Sequence, residues 1–253
     1  MFEMILIGKH NASGAGDGFG LFGGGYASNG NSNYTDKYTY SSNAVAAGSV
    51  LGVARYYLAA TGNATVGLFG GGISGSYSNT TDKHTYSSNA AAAGSVLGVA
   101  RYGLAATGNS TTGIFGGGYA SNGNSNYTDK YTYASNAVAA GSVLGQARYY
   151  LAATGNATVG IFGGGMSGSN TNYTDKYTYS SNAVAAGAVL GLARYILAAT
   201  GNNTTGIFGG GNSGNYSNTT DKYTYSSNAV AAGSVLGVAR YGLAAASSSP
   251  GGF

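Results

Sequence analysis

Residues 66–72 read Val-Gly-Leu-Phe-Gly-Gly-Gly, and the Phe-Gly-Gly-Gly core of this stretch begins at Phe22, Phe69, Phe115, Phe162 and Phe208. The spacings are 47, 46, 47 and 46 residues. An apolar run ending in a glycine cluster is a strand that stops abruptly. A module of this length can form one small sheet but cannot bury that sheet's faces alone, so the copies must pack on one another as a solenoid or a ring.

Working outward from Phe69, each repeat supplies four extended segments. Arg55 to Thr61 alternates large and small groups, Gly62-Asn63 offers a turn, and Val66 to Gly72 follows as the second strand. Thr81 to Tyr86 alternates strictly, with Asp82, His84 and Tyr86 on one side and Thr81, Lys83 and Thr85 on the other. A Ser-Ser-Asn turn leads to Ala90 to Leu97, the outer segment. Helix is the rival for the corresponding stretch from Asn43 to Arg55, but Gly48 and Gly52 each disfavour it by about 1 kcal/mol, so strand is the reading. Four short strands and their turns match one blade of a propeller.

These residues resemble the kelch repeat. A Gly-Gly doublet closes an apolar strand, Tyr38 and Tyr40 sit on the third strand, and Arg55 follows about 15 residues later, a pattern that runs from about Gly20 to Ala246. The Trp of the kelch pattern is replaced by Val45, Ala91, Val138, Val184 and Val230. The resemblance implies an all-β, five-bladed propeller of four-stranded antiparallel blades.

Blade one begins at its second strand, while the chain ends in an orphan first strand, Arg240 to Ala246. The expectation is that this C-terminal strand completes blade one and closes the ring. Met1 to Gly8 is the competitor for the same slot. On this reading residues 1–20 are an N-terminal arm available to a protein partner, 21–246 the propeller and 247–253 a tail.

Composition excludes several functions. Hydrophobic residues make up 43% and charged residues 7%, and the net +4 arises from Asp, Lys and Arg spread once per repeat. Such spacing is no basic tract for nucleic acid, and no segment is long enough to insert in a membrane. Without cysteine there is no thiolate metal site. The start has no basic region or long apolar core, so neither a secretory signal nor a compartment is indicated. Twelve Asn-x-Ser/Thr triplets, Asn63, Asn109 and Asn156 among them, read as a by-product of Asn/Thr-rich loops.

No catalytic group, metal site or cofactor is expected. His84 replaces Tyr38, Tyr131, Tyr177 and Tyr223 of the other copies, His10 stands alone, and Asp17 lies in a single Gly/Asp-rich stretch. The repeated Asp and Arg have two readings. They support turns and bridge blades, or Arg55, Arg101, Arg148, Arg194 and Arg240 form a cationic ring at the mouth of the axis. The loops between second and third strands vary most, and they nominate Tyr26, Asn29, Tyr77, Tyr119, Asn122, Asn170 and Tyr216 as binding residues. The functional expectation is a non-enzymatic recognition or adhesion propeller within a virion tail, fibre or surface assembly, binding glycan or protein. The alternative is a structural spacer that assembles with itself.

Overall fold

A computed structural model describes residues 5–7 and 18–246, the first three by their backbone alone. It is all-β, with five four-stranded antiparallel blades arranged in a ring. Blade one consists of Ile5–Ile7, Phe19–Gly23, Thr35–Thr39 and Ala44–Ala47. Blade two, Ala59–Gly62, Val66–Gly70, Thr81–Thr85 and Ala90–Ala93, gives the pattern that blades three to five repeat. Their inner strands are Ala105–Gly108, Ala152–Gly155 and Ala198–Gly201. These strands pack in order around the axis, where alanine and threonine admit close approach.

The slot beside Phe19–Gly23 corrects the expected closure. Ile5–Ile7 fills it, pairing Ile5 with Gly23 and Ile7 with Leu21, whereas Arg240 to Ala246 forms no strand. Both physical terms favour the N-terminal segment. Ile7 stands only twelve positions before Phe19 in sequence, so closure loses little chain entropy, and isoleucine suits an extended backbone better than alanine. The segment read as a free arm, residues 1–20, thus supplies the inner strand Ile5–Ile7 and, at Phe19 and Gly20, the start of the second strand; residues 1–4 and 8–17, which include His10 and Asp17, and the tail 247–253 lie outside the described residues.

Strand boundaries are shorter than the alternation suggests. The inner ladder starts at Ala59 rather than Arg55, because Tyr57 adopts a left-handed φ of 54° and breaks it. The outer strand ends at Ala93. Gly94 turns inward over Thr81, so closely that a Cβ there would lie 2.3 Å from the Thr81 hydroxyl. The chain then runs across the top of the blade, burying Leu97 beneath it. No helix occurs among the described residues.

Blades interlock by knob and hole. Phe69, Phe115, Phe162 and Phe208 are fully buried, and each presses on a glycine of the preceding blade. A Cβ on Gly116 would lie 2.7 Å from the Phe162 ring, so only glycine leaves the space. Polar contacts repeat alongside: Thr61 meets the Tyr133 hydroxyl at 3.2 Å, and the Lys83 amine donates to the Tyr133 carbonyl at 2.8 Å. Asn63 accepts from the amides of Thr65 and Val66, while its own amide donates to the Ser110 carbonyl of the next blade. The same arrangement at Asn109 and Asn156 gives these asparagines a turn-forming and blade-linking role.

Candidate functional site

The two readings of the repeated charges separate cleanly. Arg55, Arg101, Arg148 and Arg194 are wholly buried, so they form no cationic mouth; each donates through Nη2 to an aspartate and to a phenylalanine carbonyl. The pairs are Arg55 with Asp82, Arg101 with Asp129, Arg148 with Asp175 and Arg194 with Asp221. The other oxygen of each aspartate accepts from a glycine amide of the interblade linker; Gly98 donates to Asp129 at 2.9 Å. Burial lowers the pKa of the Arg55, Arg101 and Arg148 guanidinium groups, and the neighbouring carboxylate opposes that shift. A buried charge of this kind is tolerated because it is paired. Arg240 alone of the five is exposed.

Near the axis, backbone hydrogen bonds link one blade to the next. Gly103 donates to the Tyr57 carbonyl, Tyr150 to Gly103, Ile196 to Tyr150 and Gly242 to Ile196, at 2.7 to 3.1 Å. The cavity beside this ladder, lined by Leu104, Leu151, Leu197 and Leu243, measures about 40 Å³. That is space for a water or two.

Around the ladder lies a continuous surface of tyrosines. Each buried arginine is followed by Tyr56, Tyr102, Tyr149 or Tyr195, and Tyr241 follows Arg240. These residues bridge in extended geometry to the loop after the Gly-Gly-Gly turn, Tyr102 to Tyr119 for example. Ring centroids run Tyr26–Tyr56 at 5.3 Å, Tyr56–Tyr57 at 4.8 Å, Tyr57–Tyr102 at 6.0 Å, Tyr102–Tyr119 at 5.6 Å, Tyr119–Tyr149 at 5.4 Å and Tyr149–Tyr150 at 4.7 Å. Tyr77 adds to Tyr102 at 5.1 Å, and Tyr216 stacks on Tyr241 at 4.9 Å. Edge-on and tilted contacts at such separations are favourable for aromatic rings. Tyr57 and Tyr150 hold left-handed backbone, a strained state that β-branched Ile196 shares.

The loop residues nominated by sequence sit at the rim of this surface. Tyr26, Tyr77 and Tyr216 are 48%, 37% and 60% exposed, and Tyr119 is half-buried among its neighbours. Asn29 and Asn122 occupy the tips of the two longer loops, which fold as small hairpins, Tyr26–Ala27 with Gly30–Asn31 and Tyr119–Ala120 with Gly123–Asn124. Asn170 donates to the Asn212 carbonyl of the next blade and is half-buried. The alternation rule missed the larger part of the surface, which follows the arginines. The available signal was the tyrosine directly after every arginine, a position where a blade-filling strand has no need of a phenol.

Burial and the neighbouring phenols Tyr77, Tyr149, Tyr119 and Tyr57 push the Tyr102 pKa up to about 12. Tyr149 is raised by burial and by Tyr119 and Tyr195. At neutral pH both are therefore uncharged phenols, able to donate and accept hydrogen bonds. On the opposite face, equivalent grooves recur between blades. One, of about 440 Å³, is lined by Asn63, Thr65, Lys83, Thr111 and Tyr133, and its lysine is already engaged with a backbone carbonyl.

Fold and site together define a five-bladed β-propeller with one aromatic, neutral face. No protein-family model matches the chain, and comparison with curated proteins finds no match.

Proposed function

We propose that the protein is a non-enzymatic recognition propeller whose tyrosine face binds a neutral, ring-bearing partner, a glycan or a protein surface, as part of a larger extracellular or virion assembly. The observation that carries this reading is the contiguity of the phenols. Tyrosine presents large contact area with little side-chain entropy to lose, and its hydroxyl satisfies polar groups on the partner. Several equivalent loops on one face suit a repetitive ligand, for which avidity strengthens individually weak contacts. We also read the repeats as kelch-like, on the Gly-Gly doublet, the third-strand tyrosine and the arginine.

Screening on a glycan array, followed by titration monitored through intrinsic tyrosine fluorescence, tests the reading. Binding should fall at least tenfold when Tyr77 and Tyr216 are replaced by Ala. Absence of any glycan or surface-protein ligand, or binding unaffected by those replacements, overturns it. The unmatched outer faces of blades one and five favour a second reading, in which the chain also assembles with itself.

A further inference from the structure

Four of the five positions at which a blade could meet its successor carry the same set of contacts, and among the described residues the fifth carries none of them. After blade five the linker is in its usual place. Leu236 donates to the Asn218 carbonyl, Arg240 to Ser217 and Gly211 to Arg240. The guanidinium is even held as in its counterpart, Arg240 Nη1 donating to Val238 at 3.4 Å as Arg194 Nη1 does to Leu192 at 3.3 Å. Yet Arg240 has no carboxylate partner among the described residues, and it is exposed. Leu236, whose equivalents Leu51, Leu97, Leu144 and Leu190 are fully buried, is half-exposed. Gly209, the hole at this junction, faces no aromatic ring among the described residues; of these, a Cβ there meets only Thr220 and Leu236 of its own blade, at 3.4 and 3.8 Å.

Blade one presents the matching half. Asp36, equivalent to Asp82, Asp129, Asp175 and Asp221, is exposed and unpaired among the described residues. Phe22, equivalent to the buried Phe69, is half-exposed. The two faces are complementary in charge and in shape: Arg240 to Asp36, and Phe22 to Gly209.

We propose that these faces join two copies of the chain head to tail, the blade-five face of one copy seating on the blade-one face of the next. The interface reproduces the internal junction. Arg240 pairs with Asp36 of the second copy, Phe22 of the second copy enters the space at Gly209, and Lys222 reaches the backbone carbonyl that Lys83 finds at Tyr133. Ala244 to Ala246 form no ladder and give way to the inner strand of the second copy. The contact is heterologous, so each copy added leaves another pair of free faces and association continues beyond a dimer. It depends on no part of the tyrosine-face reading and is measured without ligand.

Sedimentation velocity across a range of concentrations is the test. The wild-type chain should gain mass with concentration through dimer to larger species. Asp36→Arg and Arg240→Asp should each weaken self-association about a hundredfold, by opposing like charges and leaving a desolvated charge unpaired. Both positions are exposed, so unchanged circular dichroism is expected. Mixing the two single variants should restore assembly beyond a dimer, with the two alternating, because one contact between them is the wild-type pair and the next is that pair with its charges exchanged. The double variant should recover assembly. A wild-type chain that stays monomeric at every concentration overturns the proposal, as does assembly that the single reversals leave unaltered.

Discussion

Replacing His84 by Tyr should stabilise the protein, and the gain can be worked from the other blades. Tyr131, Tyr177 and Tyr223 each donate a hydroxyl to the side-chain oxygen of an asparagine five residues on, and those asparagines, like Asn89, are held at positive φ. In blade two the shorter imidazole leaves both His84 nitrogens and the Asn89 side-chain oxygen buried without a hydrogen-bond partner among the described residues. Each buried orphan costs roughly 1–3 kcal/mol, and the tyrosine removes two and satisfies the third, so a net gain of about 2 kcal/mol is a conservative expectation. For a chain of this size that raises Tm by roughly 4–8 °C. The gain should also depend on pH. Burial lowers the His84 pKa from 6.5, Asn89 nearby opposes the shift and Lys37 reinforces it, so the unfolded chain takes up the proton first. Wild-type stability therefore falls as pH drops through and below 6.5, and the Tyr variant lacks that component. Urea unfolding of both proteins at pH 7.5 and pH 5.5 measures the difference. Equal stability at pH 7.5, or a difference that does not widen at pH 5.5, refutes the argument.

The buried ion pairs make a contrast between equivalent aspartates: Asp129→Ala strands the Arg101 guanidinium and should cost about 3–5 kcal/mol in chemical denaturation, while Asp36→Ala should change stability by less than about 0.5 kcal/mol. Glycine substitutions give a parallel contrast. Gly116→Ala drives a methyl into the Phe162 ring and should cost about 1–3 kcal/mol, whereas Gly209→Ala should be close to neutral by thermal unfolding. Alkaline titration followed by phenolate absorbance should show the Tyr102 group ionising near pH 12, with Tyr133 and Tyr179, buried in the blade junctions, ionising later still. Because the unfolded phenols ionise near 10.0, stability should decline as pH rises above that value.

Sequence alone determined the number of modules, their strand content and their antiparallel order. The Phe-Gly-Gly-Gly period and the alternation from Thr81 to Thr85 are local signals, and a 46-residue unit with two apolar faces has few ways to bury them. It could not choose between Ile5–Ile7 and Ala244 to Ala246 for one slot, since both fit the pattern and the choice turns on loop length and competition in space. Nor could it place the arginines. A charge repeated once per module reads alike whether it lines an opening or is locked under the next blade, and only packing put Asp82 beside Arg55. The tyrosines after each arginine were legible as a repeat, but their gathering into one surface needed the left-handed turn at Tyr57 and Tyr150, which carries the rings out of the ladder. The unmatched faces at Asp36 and Arg240 belong entirely to tertiary structure: the residues are the same in every copy, and their exposure depends on which blade stands next to them.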